Sequence, residues 1–319
     1  MSLTVLDPGL QTLIQSSPRN ELRHKGVPTG GATDPLSLAL ANRLLDQPAD
    51  TPALEITLSG AAFRFNAPTR FAVTGGACQI TYDGTPRPMH ETISAKAGGV
   101  VKIKPENRGA RHYLALAGGL AASTWLGSKS TCLVTGLGGH EGRQLKTEDT
   151  IPFAATSQPE ACATHPYQTP ATLRPHMGQS WILRAISGPE FQHVGTADQA
   201  RFYAETFQVS PRVNRMGAEL SGLRIDLADQ GRMPSAAVFP GTVQCPPSGV
   251  PYLLMCDAGT TGGYLRLAHV IRADRHMLGQ VRPGDKIQFK LTTPDEAMRA
   301  LREKTELFQS WLGDAFELG

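Results

Sequence analysis

Four glycine-rich polar stretches hold the side chains of this chain most suited to chemistry. The first, KGVPTGGATDPLS at residues 25–37, leads into a helix start, where free N–H groups and the positive dipole end favour a carboxylate or phosphate. Gly26 and Pro28 shape its turn, and Asp34 either caps the helix or faces a ligand. The second, GSKSTCLVTGLGGHEGRQL at residues 127–145, sets the hydroxyls of Ser128, Ser130 and Thr131 beside Lys129 and Arg143. It reads either as a mobile anion-binding loop or as a loop whose Arg143 pairs with Glu148 or Asp149. In the third, RVNRMGAELSG at residues 212–222, Arg215 either clamps a carboxylate through two N–H groups or supports a strand end, with Met216 packed inward. The fourth spans residues 240–270, where Thr260, Thr261, Gly262 and Gly263 lie between two apolar runs. Successive N–H groups with hydroxyls beside them suit a developing negative charge, and a plain hairpin needs no paired threonines.

Other chemistries have no signature. There is no GxxxxGK[ST] phosphate loop, no GxGxxG, no HExxH and no GxSxG, which excludes a standard ATPase site. The five cysteines are widely spaced, with no CxxC pair and no His/Cys cluster, so reduced thiols are expected and no metal site. Lys and Arg are scattered and the net charge is only +3, which points to neither nucleic acid nor a membrane surface. The N-terminus lacks a basic region followed by an apolar run, and no stretch reaches the roughly 18 apolar residues of a membrane span, so a cytoplasmic location is expected.

The elements that position these stretches are mostly strands. The 33 glycines and 24 prolines punctuate short runs such as FRFNAPTRFAVTG, GGVVKIKP and HYLALAGG, and 319 residues suffice for two domains. Two segments read as helix. Asp34 and Pro35 precede a ridge of Leu36, Leu40 and Leu44, expected to close one end of a barrel. From Pro294 on, Thr293 and Glu296 have capping-box spacing, while Ala297, Leu301, Phe308 and Leu312 share one face for docking on this chain or on another protein chain. Residues 155–178 lack either periodicity and are rich in Pro, Thr, Ala and Ser. Around them the chain repeats itself in order: LSGAAFRF with ISGPEFQHV, HYLALAGG with PYLLMCDAG, and GRQLKTEDTIPF with GQVRPGDKIQF. The expectation is a mainly β chain with an antiparallel barrel in residues 1–156, a linker in 157–178, a second barrel in 179–293 and a C-terminal helix in 294–319.

The motifs GVPTGGATDPLSLALANRLL with ALEITLSG, GSKST with GGHEGRQL, NRMGAELSG, and PGTVQCPPSGVPYLLMCDAGTTGGY, in this order, resemble the family of 5-oxoprolinase C-type subunits, also described as allophanate hydrolase subunit 2-like. Relatives of that family form part of the carboxyltransferase domain of urea carboxylase, and the resemblance covers residues 6–291. It implies two cyclophilin-like barrels working with a B-type β-barrel protein and an A-type protein. Such complexes open 5-oxo-L-proline to L-glutamate with ATP and Mg, and no tightly bound cofactor is implied for this chain, which alone would be inactive. Carried over by position, the family pattern implies catalytic roles for Arg143, Arg215, Asp257, Thr260 and Thr261. It implies substrate contacts from Gly26, Pro28, Asp34, Glu55, Gln244, Gly262, Gly263 and Tyr264, with Asn42, Met216, Gly217 and Pro247 as further pattern positions. The chain departs from the pattern at Gly30, Thr33, Ala258 and Gly259, which leaves room for another lactam or amide. The same resemblance admits a biotin-dependent carboxyltransferase half, or a non-enzymatic protein that binds a B-type inhibitor of a histidine kinase. The chain has no Met-Lys-Met sequence, so it is not the biotin carrier itself.

Overall fold

The computed structural model describes residues 1–154, 168–227 and 233–313. The chain divides into two compact units. The first holds residues 1–18, 30–154, 168–177 and 306–313; the second holds residues 19–29, 178–227 and 233–305. The first glycine-rich stretch is therefore split, with Gly26 and Pro28 in the second unit and Asp34 in the first. Half of the expected linker, residues 157–167, lies outside the described residues.

In the first unit a six-stranded sheet runs in the order Thr150–Pro152, Ser2–Asp7, Ala61–Phe65, Val100–Pro105, Cys78–Tyr82, Thr85–Arg87. A five-stranded sheet runs Gln11–Gln15, Ala53–Thr57, Arg111–Leu116, Thr69–Gly75, Ile93–Ala95. Side chains alternate along each strand, so Leu54, Ile56, Phe71, Val73, Leu114 and Leu116 share one core with Leu3, Val5, Phe63 and Val101 of the larger sheet. The intervening residues Ala53, Ala72, Tyr113 and Ala115 form a second apolar layer, which the helix Pro35–Arg43 covers through Leu38 and Ala41. That helix lies on the outer face of the smaller sheet rather than closing a barrel end. It is buried from Leu36 to Asn42 because its apolar residues surround it instead of forming one stripe.

In the second unit seven strands close a barrel in the order Ser180–Ser187, Leu265–Val270, Thr242–Cys245, Tyr252–Leu254, Gly217–Ser221, Phe207–Val213, Lys286–Leu291. The closing pair, Ser180–Ser187 with Lys286–Leu291, is parallel, the exception to the expected antiparallel order. A parallel pair needs a long crossover, and here the rest of the barrel supplies it.

The echo of GRQLKTEDTIPF in GQVRPGDKIQF is an echo of structure. In the first unit Lys146 N–H donates to Asp149 Oδ2, Asp149 N–H to the Lys146 carbonyl and Val5 N–H to the Asp149 carbonyl. In the second, Arg282 N–H donates to Asp285 Oδ2, Asp285 N–H to the Arg282 carbonyl and Val209 N–H to the Asp285 carbonyl. The residue before each aspartate has positive φ, Glu148 at 71° and Gly284 at 87°. The echo of LSGAAFRF is weaker: Ala61–Phe65 is a strand, whereas Phe191–His193 is a 3₁₀ turn.

The C-terminal helix Pro294–Leu312 carries the expected capping box, with Thr293 N–H bonded to Glu296 Oε2 at 2.8 Å and Glu296 N–H to Thr293 Oγ1 at 3.3 Å. It docks on its own chain: Ala297, Ala300 and Leu301 pack on Ile271 and Ala273, and Trp311 packs beside Arg43. Among the described residues no helix is long and apolar enough to cross a membrane.

Candidate functional site

Arg215 and Asp257, distant in sequence, form one buried ion pair. Arg215 Nε donates to Asp257 Oδ2 at 2.7 Å and Nη2 to Oδ1 at 3.0 Å. The strands Gly217–Ser221 and Tyr252–Leu254 pair antiparallel, and two bonds extend the ladder beyond them: Met255 N–H to the Met216 carbonyl and Asp257 N–H to the Arg215 carbonyl. Asn214 shapes the turn by accepting Met216 N–H on Oδ1 at 2.7 Å. Met216 is 47% exposed, contrary to the inward packing expected for it: it lies in the turn closed by Asn214, ahead of the strand Gly217–Ser221.

Gly217 is where two backbones come together. A Cβ at this position would collide with the Tyr252 ring and stand 2.7 Å from the Leu253 carbonyl oxygen. Gly217→Ala is therefore expected to lower stability by about 1–3 kcal/mol, read as a lower urea midpoint at unchanged slope.

The Thr260–Gly263 segment is a short strand rather than a free loop. Thr261–Gly262 pairs antiparallel with Ala236–Ala237, Val238 N–H donates to the Thr260 carbonyl and Met233 N–H to the Gly263 carbonyl. Gln244, on the strand Thr242–Cys245, brings its Oε1 against Gly262, 2.8 Å from where a Cβ would sit, and that oxygen is buried without a hydrogen-bond partner. Tyr264 and Pro247 are exposed.

Four side chains that the motifs do not single out form a linked cluster that reaches this segment through Arg23. Arg23 donates through Nη2 to the Gly259 carbonyl at 3.2 Å and to the Val238 carbonyl, through Nη1 to Thr29 Oγ1 at 2.9 Å, and lies over the Phe239 ring at 5.3 Å. Phe239 meets the edge of His269, and Arg275 donates to His269 Nε2 at 2.8 Å. An arginine only donates, so His269 Nε2 must accept, which leaves the proton on Nδ1 facing Thr242 Oγ1 at 3.1 Å. Gly26 is the left-handed cap of the turn Arg23–Lys25, φ +80°, and Pro28 lies in the same segment.

The remaining expected site residues belong to the first unit, where their polar atoms serve the frame. Glu55 and Tyr113 are cross-strand partners, and Tyr113 O–H donates to Glu55 Oε2 at 2.8 Å. Glu55 also accepts Thr33 N–H at 2.8 Å and the Thr33 hydroxyl at 3.1 Å, and Arg111 Nε stands 3.7 Å away. Asp34 caps the helix by accepting Ser37 N–H at 3.0 Å, and its own N–H goes to the Tyr113 oxygen at 2.8 Å. Neither Asp34 nor Glu55 has exposed surface. Asn42 Nδ2 holds the Ala49 and Thr51 carbonyls. In the second glycine-rich stretch, Ser128 and Ser130 donate to the Ser17 carbonyl and Thr131 to that of Ile14. Arg143 binds both Asp149 oxygens at 2.7 and 2.9 Å and Glu141 at 2.9 Å, realising the ion-pair reading of that loop.

The hydrogen bond from Arg143 holds the Asp149 carboxyl down to about 2. Burial pushes His90 and His269 down to about 4 and His276 to about 3, with Arg174, Arg275 and Lys304 adding repulsion in turn. Each histidine is then neutral in the fold and takes up a proton more readily once unfolded. The stability this provides is complete above about pH 6.5 and lost as pH falls toward 4, while Asp149 adds its loss only below about 4. Asp285, whose carboxyl burial raises, works in the opposite direction. The expected outcome is a lower urea midpoint at pH 5 than at pH 7.5. Burial pushes the Cys78 and Cys245 thiols up to about 12, so both are inert thiols; Cys162 lies outside the described residues.

The mainly β fold with its closed seven-stranded barrel is similar to that of the solved urea amidolyase of K. lactis, with a TM-score of 0.90 at 27% identity over 97% of this chain and 20% of that one. The chain belongs to the family of the carboxyltransferase domain, subdomains A and B, which matches residues 25–291. It is 34% identical to the C subunit of the 5-oxoprolinase of Escherichia coli, over 96% of each chain. It is 31% identical to the urea amidolyase of Saccharomyces cerevisiae, over 94% of this chain and 17% of that one. The solved urea carboxylase of Kluyveromyces lactis superposes with a TM-score of 0.90 at 28% identity, covering 100% of this chain and 30% of that structure. The present chain thus spans under a third of that solved protein.

Proposed function

We propose that this chain is the C-type subunit of a 5-oxoprolinase, which with A-type and B-type partners opens 5-oxo-L-proline to L-glutamate using ATP. The observation that carries this reading is the end-to-end match to the C subunits of the E. coli and Haemophilus influenzae 5-oxoprolinases, over 96% of each chain in both cases. The urea amidolyases align with this chain over only a small part of their length.

The reaction adds water across the lactam C–N bond, giving a carboxylate and an amine. A lactam carbonyl is a weak electrophile, so donors must stabilise charge developing on its oxygen. The polar edge of the second unit, Thr260 to Gly263 with Arg23 beside it and Arg215–Asp257 fixing the preceding turn, is the part of the chain suited to that task. Among the described residues no three His, Cys, Asp or Glu side chains stand together to hold a metal ion. In this reading ATP and Mg are bound by the complex or shared within it, and no step through them is drawn on this chain.

The test is glutamate release from 5-oxo-L-proline by the co-purified complex with ATP and Mg²⁺. The chain alone is expected to release none, and the complex lacking it none. A complex whose turnover is blocked by avidin would instead support the biotin-dependent carboxyltransferase reading that the urea carboxylase likeness favours.

A further inference from the structure

Five arginines of the second unit fall into two groups. Arg184, Arg215 and Arg266 each pair with a carboxylate, from Asp274, Asp257 and Glu190 respectively. Arg23 and Arg275 have no carboxylate partner among the described residues. Arg23 bonds only to carbonyls and a hydroxyl, Arg275 only to the neutral His269, and the Nε of each is buried without a partner. Their charges are close enough that Arg23 helps to depress Arg275. Two desolvated like charges with unused N–H groups are unfavourable unless an anion completes them. The ring that links them, Phe239, is 46% exposed and offers an apolar face at the same place.

We propose that Arg23 and Arg275, linked through Phe239 and His269, form a subsite for the carboxylate of a small cyclic amide acid. The Arg23 bond to the Gly259 carbonyl sets that carboxylate next to Thr260–Gly263, where the amide group of the same molecule would lie. Recognition of a carboxylate rests on the geometry of the cluster; the identity of the ring rests on the 5-oxoprolinase reading above. A guanidinium presents a fork of N–H groups matched to two carboxylate oxygens, and a neutral lactam offers nothing to answer it.

The test is equilibrium dialysis of the co-purified complex and of the full chain with 5-oxo-L-proline, with 2-pyrrolidinone, the same ring lacking the carboxylate, and with inorganic phosphate. The acid is expected to bind at least about 10–100-fold more tightly than the lactam. Arg23→Gln and Arg275→Gln are each expected to weaken the acid by about 10–100-fold and leave the lactam unchanged, while Arg275→Lys recovers part of the loss. Arg23 lies in a surface turn, so its variant keeps the test valid if an Arg275 variant fails to fold. Equal binding of acid and lactam, no binding of the acid, or variants that bind the acid as the parent does would overturn the subsite. Displacement of the acid by phosphate at equal concentration would replace the carboxylate assignment with a phosphate site. The two readings separate in the glutamate assay. Variant-sensitive binding without any glutamate release would remove the enzymatic reading alone; glutamate release with KM for 5-oxo-L-proline unmoved in both variants would remove the subsite alone.

Discussion

Arg215→Met lowers the stability of the second unit by about 3–5 kcal/mol, because it leaves the Asp257 carboxylate buried and without its cation. Both side chains are almost wholly buried, at 3% and 4% exposure. The two N–H bonds at 2.7 and 3.0 Å are what make ionisation tolerable there. The double variant Arg215→Met/Asp257→Leu removes both charges and is expected to recover most of the loss, since apolar groups of similar volume replace buried ion pairs at little cost. Hydrogen exchange across residues 252–258 reads the effect locally: the single variant opens this turn, the double variant recloses it. In the complex the double variant is also expected to fold yet turn over poorly, because the charged pair Arg215–Asp257 itself is gone from the turn that leads to Thr260. A single variant as stable as the parent would show that the charge is compensated from elsewhere.

Glu55→Ala is the second large loss, about 3–5 kcal/mol in the first unit. It strips the partner from the Thr33 N–H, the Thr33 hydroxyl and the Tyr113 hydroxyl, and leaves Arg111 without its nearest carboxylate. Tyr113→Phe, which removes one donor and also the acceptor of Asp34 N–H, is expected to cost about 1–3 kcal/mol. Glu55→Gln is the sharper probe, since in either orientation its amide –NH₂ would meet a group that only donates, the Thr33 N–H or Arg111. A Glu55→Gln chain that melts with the parent, while the complex loses activity, would move Glu55 from the frame into substrate handling.

Local periodicity and capping chemistry made much of this fold readable. Asp34, Pro35 and the Thr293/Glu296 pair mark two helix starts where they occur, because a cap is decided by neighbours a few residues apart. The repeated Asp149 and Asp285 turns are legible for the same reason. What the glycine-rich pattern leaves open is which polar groups serve the frame. Asp34, Glu55 and Arg143 all fall within the motifs that suggest a site, yet their partners Tyr113, Arg111 and Asp149 arrive through strand pairing and turn geometry. Glu55 does carry one signal, as the sole charge in the apolar run ALEIT, the mark of a buried acid rather than an exposed one. The basic cluster is invisible in one dimension: Arg23, Phe239, His269 and Arg275 come from four separate segments and share no motif.

The most direct measurement is the ratio of ADP to glutamate formed when the complex reconstituted with this chain is given 5-oxo-L-proline, ATP and Mg²⁺. One ADP for each glutamate, with neither product when the chain is omitted and no effect of avidin, is the result expected of a C-type subunit. ATP hydrolysis without glutamate, or glutamate formed equally well in the chain's absence, would contradict it.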